Sequence, residues 1–207
     1  MEAIEERMSE SYADYLDRHR SERREKFIRN AADVLAERGI RNTTMDHVAE
    51  KAGVSKIVLY RYFGAKDKMV HAVLEDISQA LLDADEEPAE WWTERVRRSL
   101  PVAREHASAM KLLVRHSAHD PEYGTHLDRL TDELIRRTQE RDREILGDGT
   151  EGPTDARLLA ETITAVLLNA YVRWVDMGSP ENDDQFLEWI NKSVRAMSYY
   201  WRGLEPD

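Results

Sequence analysis

Apolar residues recur every three to four positions along most of the chain, and no segment alternates apolar and polar residues as a strand does. This spacing predicts an all-α fold built from amphipathic helices. Glycine and proline positions are expected to separate the helices. The predicted helices cover residues 22–38, 43–52, 55–63, 66–82, 89–100, 102–119, 123–146, 155–177 and 183–201, with Pro101, Pro121, the Gly147–Pro153 loop and Gly178–Pro180 as breaks in the second half.

Residues 43–63, TTMDHVAEKAGVSKIVLYRYF, have the pattern of two short helices joined by a tight turn. Thr43 with the acid three residues later forms a capping pattern, and either Thr43 or Thr44 is expected to accept the first free amide hydrogens. Gly53 stands where the chain must reverse, because glycine takes a left-handed backbone conformation without steric penalty. Ser55 is then the expected N-cap of the second helix.

The second of these helices has an unusual outer surface. Leu59 and Phe63, four residues apart, are expected to hold it against the core. A solvated helix face ordinarily carries Glu, Gln and Lys, whereas this one carries tyrosines and β-branched residues, a composition typical of a face that a partner covers. Its residues are Lys56, Ile57, Val58, Tyr60, Arg61 and Tyr62.

This run, preceded by a helix ending in AERGI and followed by GAKDKMV, resembles the TetR family of transcriptional repressors over about residues 22–75. The resemblance implies a three-helix DNA-binding domain with a helix-turn-helix, a fourth helix leading to a helical effector-binding and dimerisation domain, no enzymatic activity and no cofactor. The implied divisions are an N-terminal extension (1–21), a DNA-binding domain (22–82), an acidic linker (83–88) and an effector-binding domain (89–203).

The predicted DNA contacts fall into two groups. Phosphate contacts, which fix register without reading sequence, are assigned to Thr43, Thr44, Ser55, Tyr62 and Lys66, the last of which matches a phosphate-contacting lysine of the family. Base-edge contacts are assigned to Lys56, Ile57, Val58 and Tyr60, since lysine donates to guanine and apolar side chains lie against a thymine methyl. Arg61 is open to either phosphate or solvent.

The charge distribution supports this assignment. The net charge of −11 is made up of −3 in residues 1–20, +4 in residues 21–70 and −12 in residues 71–207. The basic segment is therefore the one that carries the helix-turn-helix, as expected if it alone meets phosphate.

Residues 1–20 are expected to be helical, either running into the first domain helix or folding against it, since no glycine or proline occurs before Gly39. A short basic cluster, His19, Arg20, Arg23 and Arg24, either contacts phosphates or is simply solvated.

The helices at 155–177 and 183–201 are the most apolar of the chain. In the family the matching pair forms a four-helix bundle with its copy in a second subunit, so the resemblance implies a homodimer that places two recognition helices on successive major-groove turns of a palindromic operator. An unknown small molecule is expected to release the DNA. Its predicted apolar cavity is lined by Trp92, Met110, Leu113, His116, Tyr123, Leu127, Tyr171 and Trp174.

Other classes of protein leave weaker signals. His116, His119, Glu122 and His126 suggest an all-helical metalloenzyme, but Pro121 interrupts their spacing, so no metal site is assigned. A DNA-binding dimer controlled by a partner protein, without a small-molecule effector, stays open. The absence of cysteine excludes disulfides and thiolate metal sites. No uninterrupted apolar run of 18 residues and no signal peptide occur, so a cytoplasmic location is expected.

Overall fold

The computed structural model describes the backbone of residues 2–86, 92–141, 156–201 and 203, and the side chains of residues 14–86, 93–140, 157–201 and 203. Every regular element in these ranges is helical, which confirms the all-α prediction. The chain divides into two compact units, residues 1–73 and 74–207. The domain limits deduced from the sequence stay predictions.

The helices of the described ranges are, in chain order, α1 (Glu2–Arg38), α2 (Met45–Ala52), α3 (Lys56–Phe63), α4 (Lys66–Glu86), α5 (Trp92–Glu105), α6 (Ala107–Lys111), a π-helical turn (Leu112–Ser117), α7 (Thr125–Arg141), α8 (Ala156–Met177), a 3₁₀ turn (Pro180–Asn182) and α9 (Asp183–Trp201).

The core of the first unit forms where the apolar periodicity places it. On α1, Phe27, Ala31 and Leu35 are at most 2% exposed, and Gly39, with φ of 78°, ends the helix by donating to the Leu35 carbonyl at 2.9 Å. The predicted apolar side of α4 is buried along its whole length, with at most 3% exposure at Met69, Val70, Val73, Leu74, Ile77 and Leu81. Burial of these side chains supplies the main driving force for folding.

Helix α1 includes the N-terminal extension. It runs without a break from Glu2, so the extension continues into the first domain helix and does not fold back against it. The side chains of residues 14–26 are all exposed. This part of α1 therefore contributes nothing to the described core.

Three predicted boundaries in the second half are wrong. Pro101 lies inside α5 and does not end it, because Pro101 is on the exposed side while Leu100 and Ala103 are fully packed and hold the helix on both sides of the missing hydrogen bond. The break comes at His106, whose backbone leaves the helical region. The predicted acidic linker begins as the last turn of α4, which continues to Glu86.

Asp183 fixes the connection between α8 and α9. Its carboxylate accepts two hydrogen bonds from Arg104, one of them of 2.6 Å from Nε, and a third of 2.7 Å from Trp174 Nε1. The Trp174 indole stacks on Phe186 with ring centroids 4.8 Å apart. The hydrogen bonds from Arg104 hold the pKa of Asp183 below its ordinary value.

Helix α8 is more apolar than the sequence pattern suggested. The stretch Arg157–Met177, of mean hydropathy 1.3, is long and apolar enough to cross a membrane by length and composition, and a core helix of a folded bundle passes the same test. Ion pairs from Arg157 to Asp132 at 3.1 Å and from Arg115 to Asp176 at 2.6 Å tie this helix to α7 and to the π-helical turn.

Candidate functional site

The helix-turn-helix begins with a cap at Thr44. The Thr44 hydroxyl accepts from the His47 amide, and His47 Nδ1 accepts from the Thr44 amide, each at 3.3 Å, which closes a reciprocal capping box. Thr43 is instead 1% exposed, and its hydroxyl donates to the Gly39 carbonyl at 2.8 Å. The Thr43 side chain is therefore committed to the core, and its predicted phosphate contact is not available to the hydroxyl.

The turn between α2 and α3 depends on Gly53. Its φ of 67° and ψ of 33° are left-handed, and its amide donates back to α2, as the sequence predicted. Ser55 occupies the N-cap position of α3, but its side chain makes no hydrogen bond to the helix start. The Ser55 hydroxyl is exposed and remains available to an outside acceptor such as a phosphate oxygen.

Aromatic contacts seat α3 on the first unit. Leu59 and Phe63 are 0% and 6% exposed, as predicted. The Tyr62 ring meets Phe27 of α1 edge-on, with centroids 5.0 Å apart. The Arg24 guanidinium lies 5.8 Å from the centroid of the Phe63 ring. These contacts fix the orientation of α3 and hence which of its residues face outward.

The outward face of α3 is apolar at its centre and basic at its ends. Ile57 is 75% exposed and Tyr60 46% exposed. Lys56 and Arg61 are also exposed, and Lys56 pairs with Asp46 of α2 at 3.2 Å. Because this ion pair is open to solvent on both sides, the lysine can exchange Asp46 for another partner at little cost.

The structure brings most of the predicted DNA-contact residues onto one exposed or half-exposed surface. Val58, Tyr62 and Lys66 are half-buried on its border, and Lys66 Nζ donates to the Arg41 carbonyl at 3.4 Å. The role of these residues in binding stays a prediction. We call this the recognition surface, and it consists of Thr44, Ser55, Lys56, Ile57, Val58, Tyr60, Arg61, Tyr62 and Lys66.

The second unit contains a cavity of about 110 Å³. Its walls are mainly apolar and come from α4, α5, α7, α8 and α9. Hydroxyl groups and two charged side chains interrupt the apolar lining. The lining residues are Leu81, Asp85, Arg95, Val96, Ser99, Leu134, Thr138, Ala160, Ile163, Thr164, Leu167, Leu168, Tyr171, Val194 and Ser198.

The charged end of this cavity is held by hydrogen bonds. Asp85 and Arg95 are each 9% exposed. Arg137 approaches the Asp85 carboxylate at 3.4 Å, donates to the Leu82 carbonyl at 2.8 Å and pairs with Glu133 at 2.7 Å. Tyr171 donates its hydroxyl to the Val96 carbonyl at 3.1 Å, and burial raises the pKa of Tyr171 well above its ordinary value. Such a cavity suits a mainly apolar molecule with one polar group.

The predicted effector residues do not form this cavity, except for Tyr171. Met110, Leu113 and Tyr123 are packed in the core away from it, Leu127 is half-buried, and His116 is exposed. Trp174 instead binds Asp183 and stacks on Phe186. The side chain of Trp92 lies outside the described residues. The sequence reasoning missed Thr164 and Ser198, whose signal is a hydroxyl within an otherwise apolar helix face.

The histidines of the metalloenzyme alternative do not gather. His116, His119 and Glu122 are exposed, whereas His126 is 6% exposed and lies 3.5 Å from Glu75. Within the described side chains, no three His, Asp or Glu residues are placed to hold a metal ion.

Comparison with known proteins gives consistent relatives. Residues 27–73 match the family described as bacterial regulatory proteins, tetR family. The chain is similar to the nucleoid occlusion factor SlmA of Haemophilus influenzae, with 26% identity over 199 residues that cover 89% of this chain and 85% of that protein. A putative TetR-family transcription regulator from Rhodococcus sp. is 26% identical, with a TM-score of 0.59, over 84% of this chain and 99% of that one.

A third relative is similar in fold alone. FadR from Bacillus subtilis, solved in complex with stearoyl-CoA, is 16% identical to this chain. The match has a TM-score of 0.59 and covers 84% of this chain and 96% of FadR.

Proposed function

Because the chain belongs to the TetR family of DNA-binding transcriptional regulators, we propose that it binds a palindromic operator as a homodimer and leaves it when a small molecule occupies the cavity of the second unit. We place it in the cytoplasm and assign it no enzymatic activity, as its relatives are regulators. The observation that carries the proposal is the exposed apolar centre of the recognition surface.

Ile57 and Tyr60 support insertion of α3 into a major groove. Exposed apolar side chains gain no hydrophobic stabilisation in the free protein, so their position on an outward face is favourable only when a partner covers it. The groove offers thymine methyl groups to the apolar side chains and guanine acceptors to Lys56. Ser55, Tyr62 and Lys66, at the edges, are positioned to meet phosphate oxygens.

The last two helices support a symmetric dimer. Large apolar side chains remain exposed on them, namely Leu158 at 45%, Met177 at 82%, Trp189 at 59% and Tyr200 at 67%. A second copy would cover such residues through the same surface on both subunits, as a two-fold interface requires. The two recognition helices would then contact half-sites about 34–36 Å apart.

The cavity supports a small-molecule effector. A cavity of about 150 Å³ is known to hold benzene, so a volume of about 110 Å³ admits little without movement of its walls. A larger effector must therefore separate helices on binding, and it favours the conformation in which they are apart. FadR of Bacillus subtilis binds stearoyl-CoA, which makes a long-chain acyl thioester the first effector to try.

A partner protein is the second candidate for control. The similarity to SlmA extends over 89% of this chain, and that protein is named for nucleoid occlusion rather than for regulating a gene. Such a protein needs the recognition surface and the dimer but no effector.

The DNA-binding proposal is tested by selecting bound duplexes from a random pool and measuring affinity for the selected operator. We expect Lys56→Ala and Tyr60→Ala each to weaken operator binding by about 1–3 kcal/mol with an unchanged helical content. Lys51→Ala is a matched control, because Lys51 is 51% exposed against 54% for Lys56 and also pairs with an aspartate. Unchanged affinity in both variants would contradict the assignment of α3.

The effector proposal is tested on the preformed operator complex. Stearoyl-CoA is titrated against the complex of the wild-type chain and of the cavity-filling variant Ala160→Leu. Release from the wild type but not from the variant supports the cavity as the site. If neither is released by this or other apolar probes, the partner-controlled alternative is favoured.

A further inference from the structure

The first half of α1 carries a basic face that the recognition surface does not include. Within the described side chains of α1, Phe27 is the first that is buried, and residues 14–26 are exposed throughout. Packing inside the unit therefore does not explain which residues occur on this part of the helix.

Three arginines line up on the side of α1 that faces α3. Arg20, Arg23 and Arg24 precede Phe27 by seven, four and three residues, so all three share its helix face. Phe27 contacts Tyr62, and the Arg24 guanidinium lies over the Phe63 ring. The row therefore starts at the C-terminal end of α3 and continues outward along α1 for about 10 Å at 1.5 Å per residue. We call these three residues the arginine row.

The charge of the arginine row is not neutralised within the described part of the chain, where none of the three makes an ion pair. The nearby acids have other contacts, since Glu22 lies 3.5 Å from His19 and Glu25 accepts from Ser21 at 3.4 Å. Asp17, seven residues before Arg24, marks the outer end of the row.

We propose that the arginine row binds backbone phosphates of the duplex next to the groove that α3 enters, which extends the DNA contact beyond the helix-turn-helix. This inference rests on the proposed function. The guanidinium is a fork of donors that matches phosphate oxygens. The row reaches about 10 Å past the end of α3, comparable with the major-groove width of about 12 Å, so the strand that borders the groove is within reach. Phosphate contacts of this kind add affinity without sequence preference.

The test is the salt dependence of operator binding for Arg20→Ala/Arg23→Ala against the control Arg18→Ala/Arg29→Ala. The control removes the same two charges from the opposite side of α1, since Arg18 and Arg29 each stand two residues from a member of the row face. Arg24 is kept in both, because it packs on Phe63. Circular dichroism confirms that both variants are folded.

Each lost phosphate contact should lower the slope of log K against log salt by about 0.9, so two contacts in each of two subunits predict a decrease of about 3.6. The control should keep the wild-type slope. The loss should be the same for operator and unrelated duplexes.

A slope equal to that of the control overturns the inference and leaves the proposed function intact. A loss that appears only with A·T-rich flanks would indicate minor-groove reading and also overturns the phosphate assignment. If the wild-type chain binds no selected duplex, the proposed function fails and this inference fails with it.

Discussion

The recognition surface and the cavity reverse the usual distribution of residues in opposite directions. In the first unit, Ile57 is 75% exposed on the outside of a short helix. In the second unit, Asp85 and Arg95 are each 9% exposed and line an interior space. Apolar residues ordinarily lie inside and charged ones outside, so each exception identifies a surface that the unit's own core does not account for.

The two exceptions differ in how they are stabilised. The exposed side chains of α3 need no partner to stay in water, and their cost is only the hydrophobic burial that they forgo. The charges at the cavity must be held by other groups, because an uncompensated buried charge is expensive. Substitutions should therefore act on binding in the first unit and on stability in the second.

The largest effect is expected from Arg137→Met. Arg137 contacts Asp85, the Leu82 carbonyl and Glu133, and its side chain is 14% exposed. Removing the guanidinium leaves the Asp85 carboxylate with less compensation and the carbonyl without this donor, so we expect a loss of about 3 kcal/mol in the free energy of unfolding, measured with urea at neutral pH.

Arg136→Met is the matched control. Arg136 is the adjacent residue and bonds to Glu133 and Glu140, but its side chain is 54% exposed. Solvent screens these pairs, so little change is expected. Equal losses in the two variants would mean that the contrast between buried and exposed charge does not govern stability here.

A smaller effect is expected from Asp183→Asn. This change weakens the hydrogen bonds from Arg104 and Trp174 and should cost about 2 kcal/mol near neutral pH. The pKa of Asp183 is depressed in the folded state, so its contribution is present above the unfolded pKa and disappears as the pH falls through the folded value. The stability difference from wild type should therefore shrink in acid.

Asp184→Asn provides the comparison for this cluster. Asp184 is the next residue, is 90% exposed at its side chain and approaches Arg97 at 3.4 Å. Unfolding curves of this variant should follow the wild type across the same pH range. A pH-independent difference for Asp183→Asn would argue against the carboxylate as its source.

The sequence predicted the first unit well because its determinants are local. Gly53 and the stripe of α1 act within one or two turns of helix, and the structure has them as expected. The cap was ambiguous, since Thr43 and Thr44 are identical side chains and only the position of the Gly39 carbonyl in space commits one of them to the core.

The cavity was largely missed because five helices far apart in sequence form it. Periodicity shows that Met110 and Leu113 are buried but not against which neighbours, and Tyr171 alone of the predicted residues reaches the space. His116 drew attention by its residue type, yet it is exposed. Asp85 was read as part of a linker, because an acidic run beside a proline gives no indication of an arginine partner some fifty residues later.

The smallest effect concerns the apolar centre of the recognition surface and is the most direct test of it. If Ile57 lies against a thymine methyl, Ile57→Ala should weaken operator binding by about 1 kcal/mol, roughly fivefold, and should leave the unfolding curve unchanged because the side chain is already 75% exposed. Replacing the contacted thymine by uracil removes only that methyl group from the DNA. The same loss is expected with wild-type protein and uracil, and no additional loss when variant and uracil are combined, since either change alone removes the contact. Additive losses at every thymine of the half-site would show that Ile57 does not read a methyl group, and the exposed residue would then need another partner.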